Sequence, residues 1–330
     1  MLTRTITGTT VTVTELGFGA APLGNLYRAT TEDEADGAVA AAWDAGIRYF
    51  DTAPHYGLGL AERRLGRALR DRPRRDFVLS SKVGRLLVPN EHPQGRDPDL
   101  FEVPDDLRRQ HDYSRDGVLR SLEATLARTG LDRVDVVYVH DPDAYWREAT
   151  EEALPVLAEL RDAGVVGAIG AGMNSSTMLA RFLRETAADV VMLAGRYTLL
   201  DQSGLDDVLP AADQLGKSVV CVGVFNSGLL ASRRPPADAT FDYRPAPPEL
   251  LARARRMADI CEAHGSTLPA AAIAFPLAHP AVVDVTLGMR TAEEVRGDLE
   301  RYLTPVPAAV WSELQAEGLL RPDAPVPAAT

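Results

Sequence analysis

The run Val134-Asp-Val-Val-Tyr-Val-His140 is apolar and rich in β-branched residues; Thr150 to Ala163 then repeats its apolar residues at helical spacing, Gly164 follows, and Val165-Val-Gly-Ala-Ile-Gly170 is a second apolar run. Two such strands joined by one amphipathic helix make a βαβ unit, whose strands lie parallel. The same alternation extends outward in both directions. Strands are predicted at Glu15 to Gly19, Ile47 to Asp51, Phe77 to Lys82, Val190 to Leu193, Ser218 to Val222 and Val283 to Leu287, besides the two already quoted. Helical periodicity falls between them, at Glu32 to Ala45, Ala61 to Arg70, Ser114 to Thr129, Ser176 to Glu185, Leu205 to Leu215, Pro248 to His264 and Thr291 to Tyr302. Gly46, Gly130, Gly164, Gly216 and Gly265 each stand just past a predicted helix, where a left-handed cap is expected.

Eight strand–helix repeats within one chain of 330 residues predict an α/β fold, a (β/α)8 TIM barrel in a single domain over 1–330. An open doubly wound sheet is the alternative. No G-x-G-x-x-G follows the first strand, where a dinucleotide fold of that kind would need it. The Thr-rich start, with Gly8-Thr9 at a turn, reads as an N-terminal β-hairpin plugging the bottom of the barrel, and Pro305 to Leu320 as an extra C-terminal helix. Three long connections follow strands, at Gly84 to Tyr113, His140 to Glu148 and Phe225 to Pro247, and so lie on the face where barrel active sites are built.

Composition bounds the partners. Thirty-five basic against 47 acidic residues give a net charge of −12, which argues against nucleic acid. Two cysteines, Cys221 and Cys261, supply neither a disulfide framework nor a four-cysteine zinc site. No long apolar run suggests a membrane span or an export signal, so a cytoplasmic protein acting on a small molecule is expected.

The predicted strand ends carry the chemistry. The second ends Arg48-Tyr-Phe-Asp-Thr-Ala-Pro-His-Tyr-Gly57, presenting Asp51, His55 and Tyr56; the third ends Ser80-Ser-Lys82; the fourth ends Val139-His140-Asp-Pro-Asp143. Singly, each has an ordinary structural role: Asp51 as a turn cap, Tyr56 as a packed loop ring, Lys82 as a solvated strand end, His140 as a core histidine. Together they put a carboxylate, a phenol, an ammonium and an imidazole on three adjacent strands, and a lysine inside a barrel needs a carboxylate such as Asp51 beside it. In a proton transfer at this rim, Tyr56 would be the general acid/base, its pKa lowered by Lys82. Asp51 would hold Lys82 charged, and His140 would orient the substrate oxygen.

These motifs resemble the Asp, Tyr, Lys, His tetrad of the aldo-keto reductase superfamily, and the similarity spans essentially the whole chain. It implies an NAD(P)-dependent oxidoreductase with Asp51, Tyr56, Lys82 and His140 as catalytic residues. Gly170-Ala-Gly-Met-Asn174 is similar to the segment whose Asn binds the nicotinamide carboxamide, and Arg196-Tyr197 to the one whose ring stacks on the nicotinamide. Phe225-Asn-Ser-Gly-Leu-Leu230 resembles the pyrophosphate loop, which assigns Asn226, Ser227, Gly228 and Leu229 to it. Leu287 to Asp298 resembles the adenosine segment, which assigns Gly288, Met289, Arg290, Thr291, Glu294 and Asp298. In that segment, members preferring NADP carry an Arg four positions before the adenine-binding Asn. With Asp298 at the Asn position, Glu294 stands in place of the Arg, which implies NAD ahead of NADP, although Arg290 or Arg296 could meet a phosphate.

Within the superfamily, Ala21-Pro-Leu-Gly-Asn-Leu26, Asp51 to Tyr56, Asp112-Tyr-Ser and Leu131 to Asp143 look most like the bacterial L-fucose or D-threo-aldose dehydrogenases, with pyridoxal dehydrogenases close by. The resemblance implies oxidation of an aldose at its anomeric hydroxyl to a lactone, with Tyr27, Tyr145 and Trp146 as candidate pocket walls. Three other readings stay open: a Schiff-base aldolase using Lys82, separable by borohydride trapping; a metal site from His140, Asp141, Asp143 and His55, against the expectation of none; and a cofactor-binding regulatory module.

Overall fold

In the computed structural model, residues 1–242 and 244–328 are described. The barrel strands are β1 (Leu16–Gly19), β2 (Tyr49–Asp51), β3 (Val78–Val83), β4 (Val136–His140), β5 (Ala168–Met173), β6 (Val190–Ala194), β7 (Ser218–Val222) and β8 (Val282–Gly288). Each is hydrogen-bonded to the next, and β8 returns to β1 to close the barrel, with Val285 opposite Leu16 and Gly288 opposite Gly19. This is the predicted (β/α)8 architecture. All five glycines expected to cap helices adopt positive φ, between 59° and 85°.

The N-terminal hairpin pairs Thr3–Thr5 with Thr12–Thr14 and seals the bottom of the barrel. Its Ile6, Val11 and Val13 pack against Tyr49, Val136, Tyr138 and Val190 inside the barrel. Arg4 fastens the plug to β8, donating to the Val282 carbonyl at 2.7 Å and to the Leu277 carbonyl at 3.0 Å. The second and larger core lies between the strands and the helical ring.

Three features differ from the sequence-based expectation. First, β5 begins three residues later than predicted, because Val165 and Val166 finish the preceding helix by donating to the Leu160 carbonyl. The strand instead runs on through Gly170, where a Cβ would lie 1.6 Å from the Val190 carbonyl oxygen, and it delivers Asn174 at its mouth. Second, an unpredicted helix, Leu268–Leu277, precedes β8. Its sequence Leu-Pro-Ala-Ala-Ala-Ile-Ala-Phe-Pro-Leu is apolar on every side, so it carries no amphipathic period to betray it. Third, the connection after β3 holds a hairpin, Arg85–Pro89 paired with Leu107–His111, which folds over the top of the barrel.

Candidate active site

Strand register assembles the tetrad. Asp51 lies opposite Ser80 across β2 and β3, Lys82 lies opposite Tyr138 across β3 and β4, and His140 ends β4 opposite Gly172. The Lys82 ammonium donates to both Asp51 oxygens, at 2.8 and 2.7 Å, and to the Thr52 carbonyl at 3.1 Å. Ser80, which sequence reasoning left without a role, donates to Asp51 Oδ1 at 2.7 Å and so fixes the carboxylate from its other side. Both partners of the ion pair are buried, at 2% and 5% side-chain exposure.

Tyr56 lies inside the turn Pro54–Gly59 that follows β2, its amide donating to the Ala53 carbonyl at 3.1 Å. Its ring centroid lies 4.8 Å from Lys82 Nζ and 6.0 Å from the His140 ring, which meets it edge-on at 89°. The loop that holds Tyr56 is pinned by backbone contact: Gly57 has φ 60°, and a Cβ there would lie 2.2 Å from the Gly24 carbonyl oxygen. Only glycine permits that approach.

The electrostatics correct one expectation. Lys82 does draw the Tyr56 pKa down, but burial of the phenol outweighs it, and the pKa is pushed up to about 12. Burial also opposes the Lys82 charge, yet Asp51 and then Tyr56 prevail and hold its pKa above the ordinary value. Burial, reinforced by Arg85 and Lys82, keeps His140 neutral, with a pKa well below the usual one, and brings neighbouring His55 down to about 2. At neutral pH the site therefore holds a protonated phenol, a charged lysine and a neutral imidazole able to donate one hydrogen bond.

This assignment has a definite pH signature. A phenol that titrates near 12 is already in the donor form for carbonyl reduction. For carbinol oxidation it must first lose its proton, and the fraction ionised rises about tenfold per pH unit below the pKa. With chemistry rate-limiting, oxidation should climb steadily from pH 7 to 10 while reduction stays nearly level. A level oxidation profile would remove Tyr56 as the base.

Above the tetrad opens a cavity of about 1070 Å³ whose wall includes His55, Tyr56, His140, Asn174, Asn226 and Ser227. Between Asn174 and Asn226 the wall is made by Gly195 and Gly223, with φ of 68° and 66°, and by Val222. A side chain is missing at both glycines, leaving a flat slot, and buried Asn226 Oδ1 has no hydrogen-bond partner among the described residues. The slot and the two amides fit a nicotinamide ring, which when bound supplies or accepts the hydride.

Tyr197 is not the ring that faces this slot. The turn at Gly195 sends it inward, 1% exposed, against Phe275 at 5.0 Å and His279 at 5.8 Å. Its place on the cavity wall is taken by Gly195 itself. Of the residues that the resemblance implies for a pyrophosphate loop, Asn226, Ser227 and Gly228 all have positive φ in a tight turn after β7, while Leu229 is buried in the core.

The segment after β8 does not line the cavity. Gly288 closes the strand against Pro22, Met289 is buried, and Thr291 caps the next helix by accepting from the Glu294 amide. Arg290 is committed elsewhere: its guanidinium donates to the Leu26 and Arg28 carbonyls and to Thr30 Oγ1, stapling the loop after β1. Glu294 is exposed on the first turn and accepts from the Arg290 amide at 2.7 Å. Asp298, one turn on, is buried; burial raises its pKa to about 6 against the pull of Arg301, whose guanidinium lies 2.6 Å away.

Among the candidate substrate residues, Tyr145 lines the cavity, stacked on His111 with centroids 4.5 Å apart. Trp146 does not. It turns to the outside of the barrel, 4.8 Å from Phe182 and capped by the Arg181 guanidinium at 3.8 Å, a packing role on the helix Ser176–Glu185. Tyr27 is 51% exposed near the cavity rim, and its neighbour Leu26 lines the wall instead. Sequence reasoning missed Arg85, Arg109, His111 and Phe101, which all reach the cavity from the connection after β3. Leu107-Arg-Arg-Gln-His111 is one apolar residue followed by four polar ones, so no alternation in the sequence signals that hairpin. Asp141, considered as a metal ligand, turns its carboxylate to Arg85 at 2.9 Å. No helix among the described residues is long and apolar enough to cross a membrane.

The comparisons with known proteins agree with the geometry. Residues 15–317 match the model of the aldo/keto reductase family. The chain is 48% identical over 311 residues to D-threo-aldose 1-dehydrogenase from a Pseudomonas species, covering 93% of this chain and 94% of that one. It is 39% identical over 335 residues to pyridoxal 4-dehydrogenase from Microbacterium luteolum, covering 96% and 97%. Among solved structures, an aldo-keto reductase from Bacillus halodurans in its holo form superposes with a TM-score of 0.73 at 26% identity, covering 96% of each chain. With a closed eight-stranded barrel and a family match over nearly its full length, the chain belongs to the aldo/keto reductase family of NAD(P)-dependent oxidoreductases.

Proposed function

We propose that the protein oxidises an aldose at its anomeric hydroxyl to the lactone, with NAD as the preferred hydride acceptor, and that Asp51, Tyr56, Lys82 and His140 carry the reaction. The observation that carries the substrate reading is the similarity to D-threo-aldose 1-dehydrogenase over nearly the whole of both chains. In the oxidative direction His140 donates a hydrogen bond that holds the carbinol oxygen, and Tyr56 as phenolate takes the hydroxyl proton. The carbinol carbon gives up its hydrogen as hydride, which a nicotinamide held by Asn174 and Asn226 would accept, and becomes the lactone carbonyl. Lys82 stabilises the phenolate, and Asp51, held by Ser80, keeps Lys82 charged and in place. Asn174 and Asn226 are the residues that would hold the nicotinamide end.

A panel of aldoses and pyridoxal offered with NAD⁺ and NADP⁺, followed as nicotinamide reduction, tests this reading. Turnover of an aldose is expected, and failure of every aldose would overturn it. Pyridoxal oxidation is the second reading, favoured by the similarity to pyridoxal 4-dehydrogenase and by the His111–Tyr145 stack, on which an aromatic ring can lie.

The cofactor preference rests on Glu294. A carboxylate there repels a ribose phosphate and accepts from a free ribose hydroxyl, and Arg290 is tied to the loop after β1. Glu294→Arg should shift the ratio of specificity constants toward NADP⁺ by tenfold or more, on the order of 1.4 kcal/mol. A wild-type preference for NADP⁺, or no shift in the variant, would defeat the assignment.

A further inference from the structure

We propose that the Arg85–Asp141 pair reads the hydroxyl on the carbon next to the reacting one, and that the site is built for a neutral, polyhydroxylated substrate. The proposal deepens the aldose reading and rests on it. Asp141 follows His140 directly and has φ 41°, a left-handed conformation that a residue with a Cβ adopts at a cost. Its amide donates to the Gly172 carbonyl at 3.0 Å, which holds that turn. The result is a carboxylate whose Oδ2 lies 3.5 Å from His140 Nε2 and 2.9 Å from an Arg85 terminal nitrogen. If His140 holds the reacting oxygen, the pair stands about one hydrogen-bond length further along, which is the spacing between oxygens on adjacent carbons.

Arg85 is delivered there by Gly84, at φ 101°, where a Cβ would lie 2.5 Å from the Tyr113 ring. β3 can therefore turn straight into the hairpin over the cavity. Arg85 and Asp141 both line the cavity, so the paired guanidinium and carboxylate reach it together. Donor and acceptor side by side match a hydroxyl, which both accepts and donates. Arg85 also faces His111 across the hairpin, and His111 stacks on Tyr145, so a flat platform adjoins the polar pair.

Charge selects the substrate class. The cavity's other guanidinium, Arg109, is held by Asp97 at 2.6 and 2.7 Å, and the wall also carries Asp99, Asp143 and Asp242. Its histidines His55, His111 and His140 are held below their ordinary pKa, each chiefly by burial. A substrate carboxylate or phosphate would find each guanidinium already taken and carboxylates nearby, whereas hydroxyls can bridge the existing pairs without displacing them.

The test compares specificity constants in wild type, Arg85→Met and Asp141→Asn for two matched pairs: an accepted aldose against its 2-deoxy analogue in oxidation, and glyceraldehyde against propanal in reduction. Wild type should favour the hydroxylated member by at least about 100-fold, since a site built to bond a hydroxyl discriminates strongly against its absence. Each variant should shrink that ratio by tenfold or more. Asp141→Asn keeps the side-chain size should Arg85→Met unfold, and thermal melting reports which variants are folded. A ratio near one in wild type, or one unchanged in folded variants whatever the absolute rates, would overturn the proposal. If no aldose reacts but the glyceraldehyde ratio still collapses in the variants, the hydroxyl reader stands and the aldose reading falls. A wild-type preference for glyceraldehyde 3-phosphate over glyceraldehyde would overturn the neutral-substrate claim.

Discussion

Tyr56→Phe should lower kcat by about 10²–10⁴, the usual contribution of general acid/base catalysis, in both reaction directions. The change removes one oxygen and keeps the ring, whose neighbours are Phe101 at 6.2 Å and His140 at 6.0 Å, so the fold and the cavity shape should persist. Cofactor affinity, measured by titration in the absence of substrate, should be nearly unchanged, because Asn174 and Asn226 are untouched. The pH dependence of oxidation should also flatten, since the titrating group is gone. Turnover close to that of the native protein would exclude Tyr56 as the proton-transfer group.

Lys82→Met should be at least as damaging to turnover and should cost stability as well. The ammonium gives Asp51 two of its hydrogen bonds, and its loss leaves a buried carboxylate with Ser80 as its one side-chain donor among the described residues. Breaking a buried pair by removing one member costs about 3–5 kcal/mol, because the other charge is left uncompensated. The Tyr56 pKa also loses the influence that opposes burial, so the phenolate becomes still less accessible. Adding Asp51→Asn to Lys82→Met should recover much of the stability, since the buried charge is then gone, but none of the activity. Chemical denaturation and single-turnover kinetics on the single and double variants separate the two effects. If the double variant regained activity along with stability, the role given to the ammonium would be wrong.

The parts of the molecule legible in the sequence are those where one physical rule acts alone. The barrel followed from β-branched runs alternating with amphipathic periods, and the helix ends from glycines in the left-handed region. The tetrad residues were visible because each stands at or just after the end of a predicted strand, so the barrel brings them to one rim although Asp51 and Lys82 are 31 residues apart in the chain. The helix Leu268–Leu277 escaped because an all-apolar segment has no period, and the later start of β5 because Val165 and Val166 look like strand residues while serving as the turn after a helix. Trp146 shows the limit for walls: an aromatic beside a site in sequence can turn outward, and only packing against Phe182 and Arg181 reveals that it has. The pKa of Tyr56 was misjudged for a related reason. The sequence displays the neighbouring cation but not the depth of burial, and burial is the larger influence.

The closure of β8 onto β1 also bears on how the protein is made. Strand β1 leaves the ribosome early, yet its partner on one edge is the last barrel strand, and the hairpin beneath it is tied to the same late segment through Arg4. Until Val282 to Gly288 has been synthesised, the nascent chain has two open sheet edges and an unsealed apolar interior, features that invite association with other chains. Closure is therefore a late event in synthesis, and a chain cut short before Val282 should aggregate or be degraded rather than persist as a partial barrel.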